Sequence, residues 1–251
     1  MIVINSSILM KSKPSYESPL ETECLFGEEV EIIDKRLDWF LCRLNTDNYC
    51  GWVKKTGLGK LIKPTHRVVV PRSFVYTDKN PKSKCLLYLP LGAKLLIINI
   101  ESEWAKVRLN SHQSKFGYVP ISHIVCLDHR VKDWVDIAEL LVGTPYKWGG
   151  RDSMGIDCSA LLQLSYQTYG ENIPRNTSEQ VKLKKKIIRD IEDLKRGCVV
   201  FWKGHVGIMI DKLNCIHANA YHMKTVTEPL IDIINRMDKD HQIVKMMEFN
   251  E

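Results

Sequence analysis

Through the first half of the chain, apolar and polar residues alternate in short runs broken by Gly, Asn and Asp, the pattern of short antiparallel strands. The pattern occurs twice. Phe26-Gly27-Glu28-Glu29-Val30-Glu31-Ile32-Ile33 leads to Trp39, to Leu41-Cys42-Arg43-Leu44 and to Gly51-Trp52-Val53. Leu91-Gly92-Ala93-Lys94-Leu95-Leu96-Ile97-Ile98 leads to Trp104, to Lys106-Val107-Arg108-Leu109 and to Gly117-Tyr118-Val119. The step from glycine to tryptophan is twelve residues in both copies, and the step to the next glycine is twelve and thirteen. Matched offsets mark an internal duplication, each copy closing into a small barrel. Lys60 to His66, carrying Pro64, separates the copies.

From Arg130 the period changes. Val131, Trp134, Ile137, Leu140 and Leu141 recur at helical spacing, with Gly143 where a cap belongs. After a loop through Pro145 to Gly150, Asp157 opens a second helix with Leu161, Leu162 and Leu164 apolar and Gly170 at its end. Cys198 to Trp202, Val206 to Ile210 and Cys215 to Ala218 alternate as strands, and a last helix is expected from Pro229 to Met237. Helices first and antiparallel strands after make an α+β domain. The expected organisation is a first barrel over 1–62, a second over 63–127 and the α+β domain over 128–251.

At 251 residues the chain has room for these units. The net charge of +6 is dispersed except for a run from Lys182 to Arg189. No aromatic residue alternates with those lysines, so the run reads as a solvated face and no nucleic-acid partner is expected. No apolar stretch approaches the roughly eighteen residues of a membrane helix. The N-terminal residues lack the positive lead and small-residue cleavage site of a signal peptide, so no membrane partner is expected. Of the eight cysteines none sits in a Cys-x-x-Cys pair, which argues against zinc ribbons and thioredoxin-like chemistry. At least five lie in apolar, strand-like runs, where a free cysteine behaves as a small hydrophobe. This usage points to a reducing compartment, the cytoplasm.

The chemistry concentrates between Gly149 and Ser159, Gly-Gly-Arg-Asp-Ser-Met-Gly-Ile-Asp-Cys-Ser. Cys158 follows a plausible N-cap, Asp157. Helix N-terminal amides and partial positive charge favour thiolate over thiol, so a lowered Cys158 pKa is expected. His205 begins the strand Val206 to Ile210, and His217 lies in the next. The two histidines share a face only if the hairpin register is even, as loops of three or five residues make it. Cys158 is then a nucleophile, His205 a general base and acid, and His217 the group that fixes the tautomer of His205. The N–H groups of Cys158 and Ser159 are candidate oxyanion donors. His66, His112, His123, His129, His222 and His241 read as surface or structural. No carboxylate with ligand spacing joins His205, His217 and His222, so no metal is expected, and no cofactor.

Four motifs together carry a family resemblance: Pro145-Tyr146-Lys147-Trp148-Gly149-Gly150, Gly155-Ile156-Asp157-Cys158-Ser159, Pro174-Arg175 with Gln180, and Gly204-His205-Val206-Gly207. They resemble the NlpC-type cell-wall cysteine peptidases over about residues 130 to 250. The duplicated unit in front resembles the bacterial SH3-like domains of one branch of that family. The resemblance implies two SH3-like β-barrels and a papain-like α+β domain, with Cys158, His205 and His217 catalytic. It implies hydrolysis of the γ-D-glutamyl–diamino-acid bond in murein peptides with a free N-terminal L-alanine, in wall-peptide recycling or turnover. It also implies that Asp157 and Ser159 recognise the amine and first residue, with Tyr49 and Glu28 of the first barrel as further contacts. Trp148 is counted with the substrate-binding residues. Arg175 either meets a substrate carboxylate or forms a structural ion pair. The chain departs from the family at Ala160, where glycine is usual, and at Cys198, where aspartate is usual. Two other classes stay open at this point: a non-catalytic wall-binding module, and a thiol acyltransferase on the same scaffold.

Overall fold

The computed structural model describes residues 1–110, 115–237 and 242–249; His112 and His241 lie outside them. The chain forms two compact units. One holds residues 1–130 together with 151–153, and the other 131–150 and 154–251.

The first unit contains two antiparallel barrels. In the first, Leu20–Leu25, Ser7–Lys11, Cys50–Lys54, Trp39–Leu44 and Val30–Arg36 are neighbours in that order. In the second the order is Cys85–Pro90, Arg72–Tyr76, Lys115–Pro120, Trp104–Asn110, Lys94–Glu101, His66–Val68 and Ile124–Cys126. Alternation builds the cores: Phe40, Cys42 and Leu44 are buried in one, and Ala105, Val107 and Leu109 in the other. The duplication extends to the backbone. Gly27 and Gly92 take φ of 75° and 81°, and Leu37 and Ser102, each two residues before a repeat tryptophan, take 52° and 53°. The hairpin register shifts between Ile32 and Asp34 in one copy and between Ile97 and Asn99 in the other. Side-chain alternation had not marked these bulges.

The copies diverge around the shared glycine turn. Phe26 packs into the core of the second barrel beside Val68, Leu89 and Leu95. The Phe26 carbonyl accepts the Lys94 N–H at 2.8 Å. A Cβ on Gly27 would meet the Lys94 carbonyl oxygen at 1.9 Å, so only glycine permits the close approach. Residues 151–153 belong to this unit through polar contacts. Arg151 is fully buried, with Nη1 and Nη2 donating to Glu28 at 2.9 and 3.1 Å, and Tyr88 donates to Asp152 at 3.0 Å.

The second unit is the expected α+β domain. Its six-stranded antiparallel sheet runs Lys186–Ile188, Ile243–Glu248, Cys198–Trp202, His205–Met209, Asn214–Asn219, Lys224–Pro229. The α-helices are Val135–Glu139, Cys158–Gln167, Thr177–Gln180 and Leu230–Arg236. The first helix is shorter than its apolar spacing suggested, though Gly143 takes the expected left-handed φ of 85°. Trp134, Tyr166 and Phe249 form an aromatic cluster with ring centroids 5.0 to 6.2 Å apart, tying the Cys158 helix to the residue after the Ile243–Glu248 strand. The basic run is not wholly a solvated face. Ile188 is buried in the sheet core, while Lys186 pairs with Glu248 at 2.8 Å.

Candidate active site

Cys158 is the first residue of its helix. Asp157 caps it in extended conformation, accepting the Ala160 N–H at 2.9 Å. The same carboxylate accepts from the Ser159 hydroxyl at 3.0 Å, the Gly149 N–H at 3.0 Å and both terminal nitrogens of Arg175, at 2.9 and 2.6 Å. Arg175 also donates to Ser159 Oγ at 2.6 Å. Gln180 reaches the carbonyls of Ser159 and Pro174 at 3.0 and 2.8 Å. The motif residues Asp157, Ser159, Arg175 and Gln180 therefore meet one another. Gly150 folds the preceding loop: a Cβ there would lie 2.3 Å from the Gly155 carbonyl oxygen.

His205 starts its strand directly after a two-residue turn in which Gly204 takes φ of 75°. Trp202 is its cross-strand partner, with ring centroids 5.7 Å apart. The next hairpin turns through three residues, Asp211 to Leu213, because Ile210 N–H bonds the Asn214 carbonyl. Asp211 closes that turn by accepting from the N–H groups of Leu213 and Asn214, both at 2.7 Å. The register pairs Ile208 with Ile216 and Met209 with Cys215, which places His205 and His217 on one face. His205 Nε2 lies 2.8 Å from His217 Nδ1. Gly207 sits between them; a Cβ there would be 2.4 Å from Cys215 Sγ and 3.6 Å from His217 Cβ.

Electrostatics overturn one expectation. Burial, reinforced by the neighbouring Asp157 carboxylate, pushes the Cys158 thiol up to about 12. The N–H groups of Val206 and Ser159 and the Arg175 charge act in the thiolate's favour but are outweighed. Burial likewise drives His205 down to about 3, helped by His217 and Arg236 and opposed by Glu228. Burial thus favours the neutral form of both the Cys158 thiol and the His205 imidazole. Neutral His205 has a lone pair on one ring nitrogen that can accept a proton, and the helix amides oppose the effect of burial on the thiol.

Glu228 is the group that the sequence did not mark. It lies on the Lys224–Pro229 strand, where the register sets Val226 opposite His217 and Glu228 opposite Cys215. Glu228 is thus the diagonal, same-face neighbour of His217, and its Oε1 is 2.7 Å from His217 Nε2. Arg236 donates to both of its oxygens, and His222 Nε2 is 3.4 Å from Oε2. A carboxylate therefore does join His217 and His222, contrary to the expectation from spacing, and His222 is more than a surface group. Arg236 already covers that carboxylate, and among the described residues no group of three or more His, Cys, Asp or Glu could hold a metal ion.

Of the proposed substrate contacts, the Arg175 alternatives are resolved and Glu28 is corrected. Arg175 is 2% exposed and bound to Asp157 and Ser159, so it is a structural ion pair and not a free anchor for a substrate carboxylate. Glu28 is also 2% exposed; its oxygens accept from Arg151, Leu25 N–H and the Thr46 hydroxyl, which keeps it from facing an ammonium group. Burial would raise its carboxyl, yet Arg151 holds it below the ordinary value. Tyr49 packs against the first barrel's core and donates its hydroxyl to Glu21 at 2.9 Å. Trp148 is 72% exposed.

Family profiles match stretches of both units. The profile of the NlpC/P60 family matches residues 143–243, and that of the bacterial dipeptidyl-peptidase SH3 domain matches residues 10–58. A Bacillus cereus γ-D-glutamyl-L-lysine dipeptidyl-peptidase is 26% identical, over 79% of this chain and 67% of the relative. A probable endopeptidase NlpC homolog of Haemophilus influenzae is 31% identical, over 53% of this chain and 68% of the relative. The crystal structure of an NlpC/P60 family protein from Bacillus cereus ATCC 10987 superposes with a TM-score of 0.83 over 99% of this chain and 98% of that one; at 19% identity the likeness is one of fold.

Proposed function

The chain belongs to the NlpC/P60 family of cysteine peptidases, and from that membership we propose that it hydrolyses the bond between γ-D-glutamate and a diamino acid in murein peptides beginning with free L-alanine. The observation that carries this reading is the constellation of Cys158 at its helix start, the Val206 N–H acting on its sulfur, and the adjoining His205–His217 hydrogen bond. The choice of bond is supported by the relatives named γ-D-glutamyl-L-lysine dipeptidyl-peptidases.

In this mechanism His205 takes the Cys158 proton as sulfur attacks the γ-carbonyl carbon of D-glutamate. The developing oxyanion is met by the N–H groups of Cys158 and Ser159. Collapse breaks the C–N bond, and His205 gives its proton to the departing diamino-acid amine. Water, deprotonated by His205, then cleaves the thioester and releases L-alanyl-γ-D-glutamate. Starting the proton transfer from a neutral pair makes attack and deprotonation one concerted demand on His205. The same reading assigns the enzyme to wall-peptide recycling in the cytoplasm, which the free thiols of all eight cysteines support.

The test is mass spectrometry of products from L-Ala-γ-D-Glu-L-Lys and its meso-diaminopimelate counterpart, each with free and acetylated alanine. Release of L-Ala-γ-D-Glu from the free-amine peptides alone is expected, with none in Cys158→Ala. Equal cleavage of acetylated peptides would remove the amine requirement, and unchanged cleavage by Cys158→Ala would remove the mechanism. Faster transfer to an added amine than to water would make the protein an acyltransferase.

A further inference from the structure

We infer that Glu228, pinned by Arg236, is a positioning residue that sets the tautomer of both active-site histidines and so leaves the Nδ1 lone pair of His205 available to Cys158. The inference rests on the roles of Cys158 and His205 proposed above.

Each proton in the chain fixes the next. An ionised carboxylate can only accept. Glu228 Oε1 stands 2.7 Å from His217 Nε2, so that nitrogen carries the proton; the neutral amide Nδ2 of Asn219, 3.0 Å from the same atom, is outweighed by the nearer, charged carboxylate. A neutral imidazole has one N–H, which leaves His217 Nδ1 a bare acceptor. His205 Nε2, 2.8 Å away, must then be the donor. With its single proton placed there, His205 keeps Nδ1 unprotonated. The lock passes through two rings from a residue that touches neither sulfur nor substrate.

The geometry restrains each link. Arg236 Nη1 donates to Glu228 Oε2 at 3.0 Å and Nη2 to Oε1 at 2.5 Å, a two-point grip that stops the carboxylate from rotating away. The guanidinium is itself seated over the Tyr221 ring, 4.3 Å from its centroid. Arg236 ends the Leu230–Arg236 helix, which continues from the Glu228 strand without a loop, so both partners are placed by one short segment.

The two charges act on the histidines with opposite signs. Glu228 favours protonation of both rings, and Arg236 disfavours it. The other titratable groups facing these charges are His222 and Cys215 against Glu228, and Tyr221 and Asp232 against Arg236. Burial opposes ionisation of Glu228, but the hydrogen bonds from Arg236 and His217 hold its carboxyl at about 2, so it stays an acceptor throughout the working range.

The experiment compares pH profiles of kcat/KM on L-Ala-γ-D-Glu-L-Lys for the wild type, Glu228→Gln, Arg236→Met and Arg236→Lys, with thermal unfolding of each. Glu228→Gln should lower kcat at least about tenfold with KM little changed, as tautomer loss does in other relays. It should also move the acid limb to lower pH. Arg236→Met should move that limb to higher pH, and Arg236→Lys should restore most of the wild-type profile. Limbs that stay in place, or activity that falls only in step with stability, would overturn the inference. A second readout needs no turnover: ¹⁵N spectra of histidine-labelled Cys158→Ala should show both rings protonated at Nε2, and a bare Nε2 on His205 would overturn it. A wild type inactive on all murein peptides would defeat the proposed function while the spectra still decide this point.

Discussion

Arg175 grips Asp157 at the start of the Cys158 helix, and Arg236 grips Glu228 at the far end of the histidine chain. Both are two-point arginine–carboxylate contacts. Their surroundings differ. Asp157 also receives backbone N–H groups from Gly149 and Ala160 and a hydroxyl from Ser159, so its acceptor capacity closes on the fold itself. Glu228 gives one oxygen to the His217 imidazole, so its charge and orientation act on a group that can titrate. A carboxylate ringed by backbone donors holds structure, and one that keeps a titratable neighbour transmits protonation. The exposures agree: the Arg175 and Asp157 side chains are 2% and 10% exposed, and those of Arg236 and Glu228 are 25% and 13%.

The strongest way to break this comparison is to remove one arginine from each pair. Arg175→Met strands the buried Asp157 charge and should cost about 3–5 kcal/mol of stability, whereas Arg236→Met, at a wetter site, should cost about 1 kcal/mol or less. Urea unfolding measures both, and equal losses would erase the distinction. Cys158→Ala in the same series should leave the unfolding midpoint near that of the wild type.

A smaller effect is expected at Gly207, which lets the two histidine strands pack closely. Gly207→Ala overpacks the space beside Cys215 Sγ and should cost about 1–3 kcal/mol. Adding Cys215→Ala should recover part of that loss, a coupling that only direct contact produces. Purely additive losses would place the strain elsewhere.

The smallest effect is in acid. The Glu228 carboxyl sits at about 2 against an ordinary 4.5, so the folded state binds this proton more weakly than the unfolded chain does. The stabilisation it supplies is complete above the unfolded value and is lost as pH falls through the folded one. Wild type should therefore lose more stability than Glu228→Gln between these values, by on the order of 1 kcal/mol or less after solvent screening. Parallel acid profiles would show that the carboxylate is not held as described.

Much of this was readable from local pattern. The barrel strands follow from alternation, the duplication from the glycine and tryptophan offsets, and Cys158, His205 and His217 from motif and strand position. Even the shared face of the histidines reduced to the parity of one hairpin, which Asp211 resolves with its three-residue turn. Glu228 was hidden because its place depends on the register of a second hairpin, through a turn that includes Tyr221 and His222. The strands Lys186–Ile188 and Ile243–Glu248 were hidden because they pair across distant sequence. The Glu28 role was misjudged, and that of Arg175 left open, for a related reason: a charge looks available until its partner is brought beside it.

Order along the chain was enough to nominate candidate residues, because a helix start, a strand start and an alternating face are properties of neighbouring residues. Folding decided their states. Burial made the thiol and imidazole neutral where the helix terminus alone favours a thiolate, since desolvation depends on everything packed around a group and not on its own segment. Folding also chose which arginine would complete the helix cap and which would steady the proton path, because ion pairs form between atoms that meet in space.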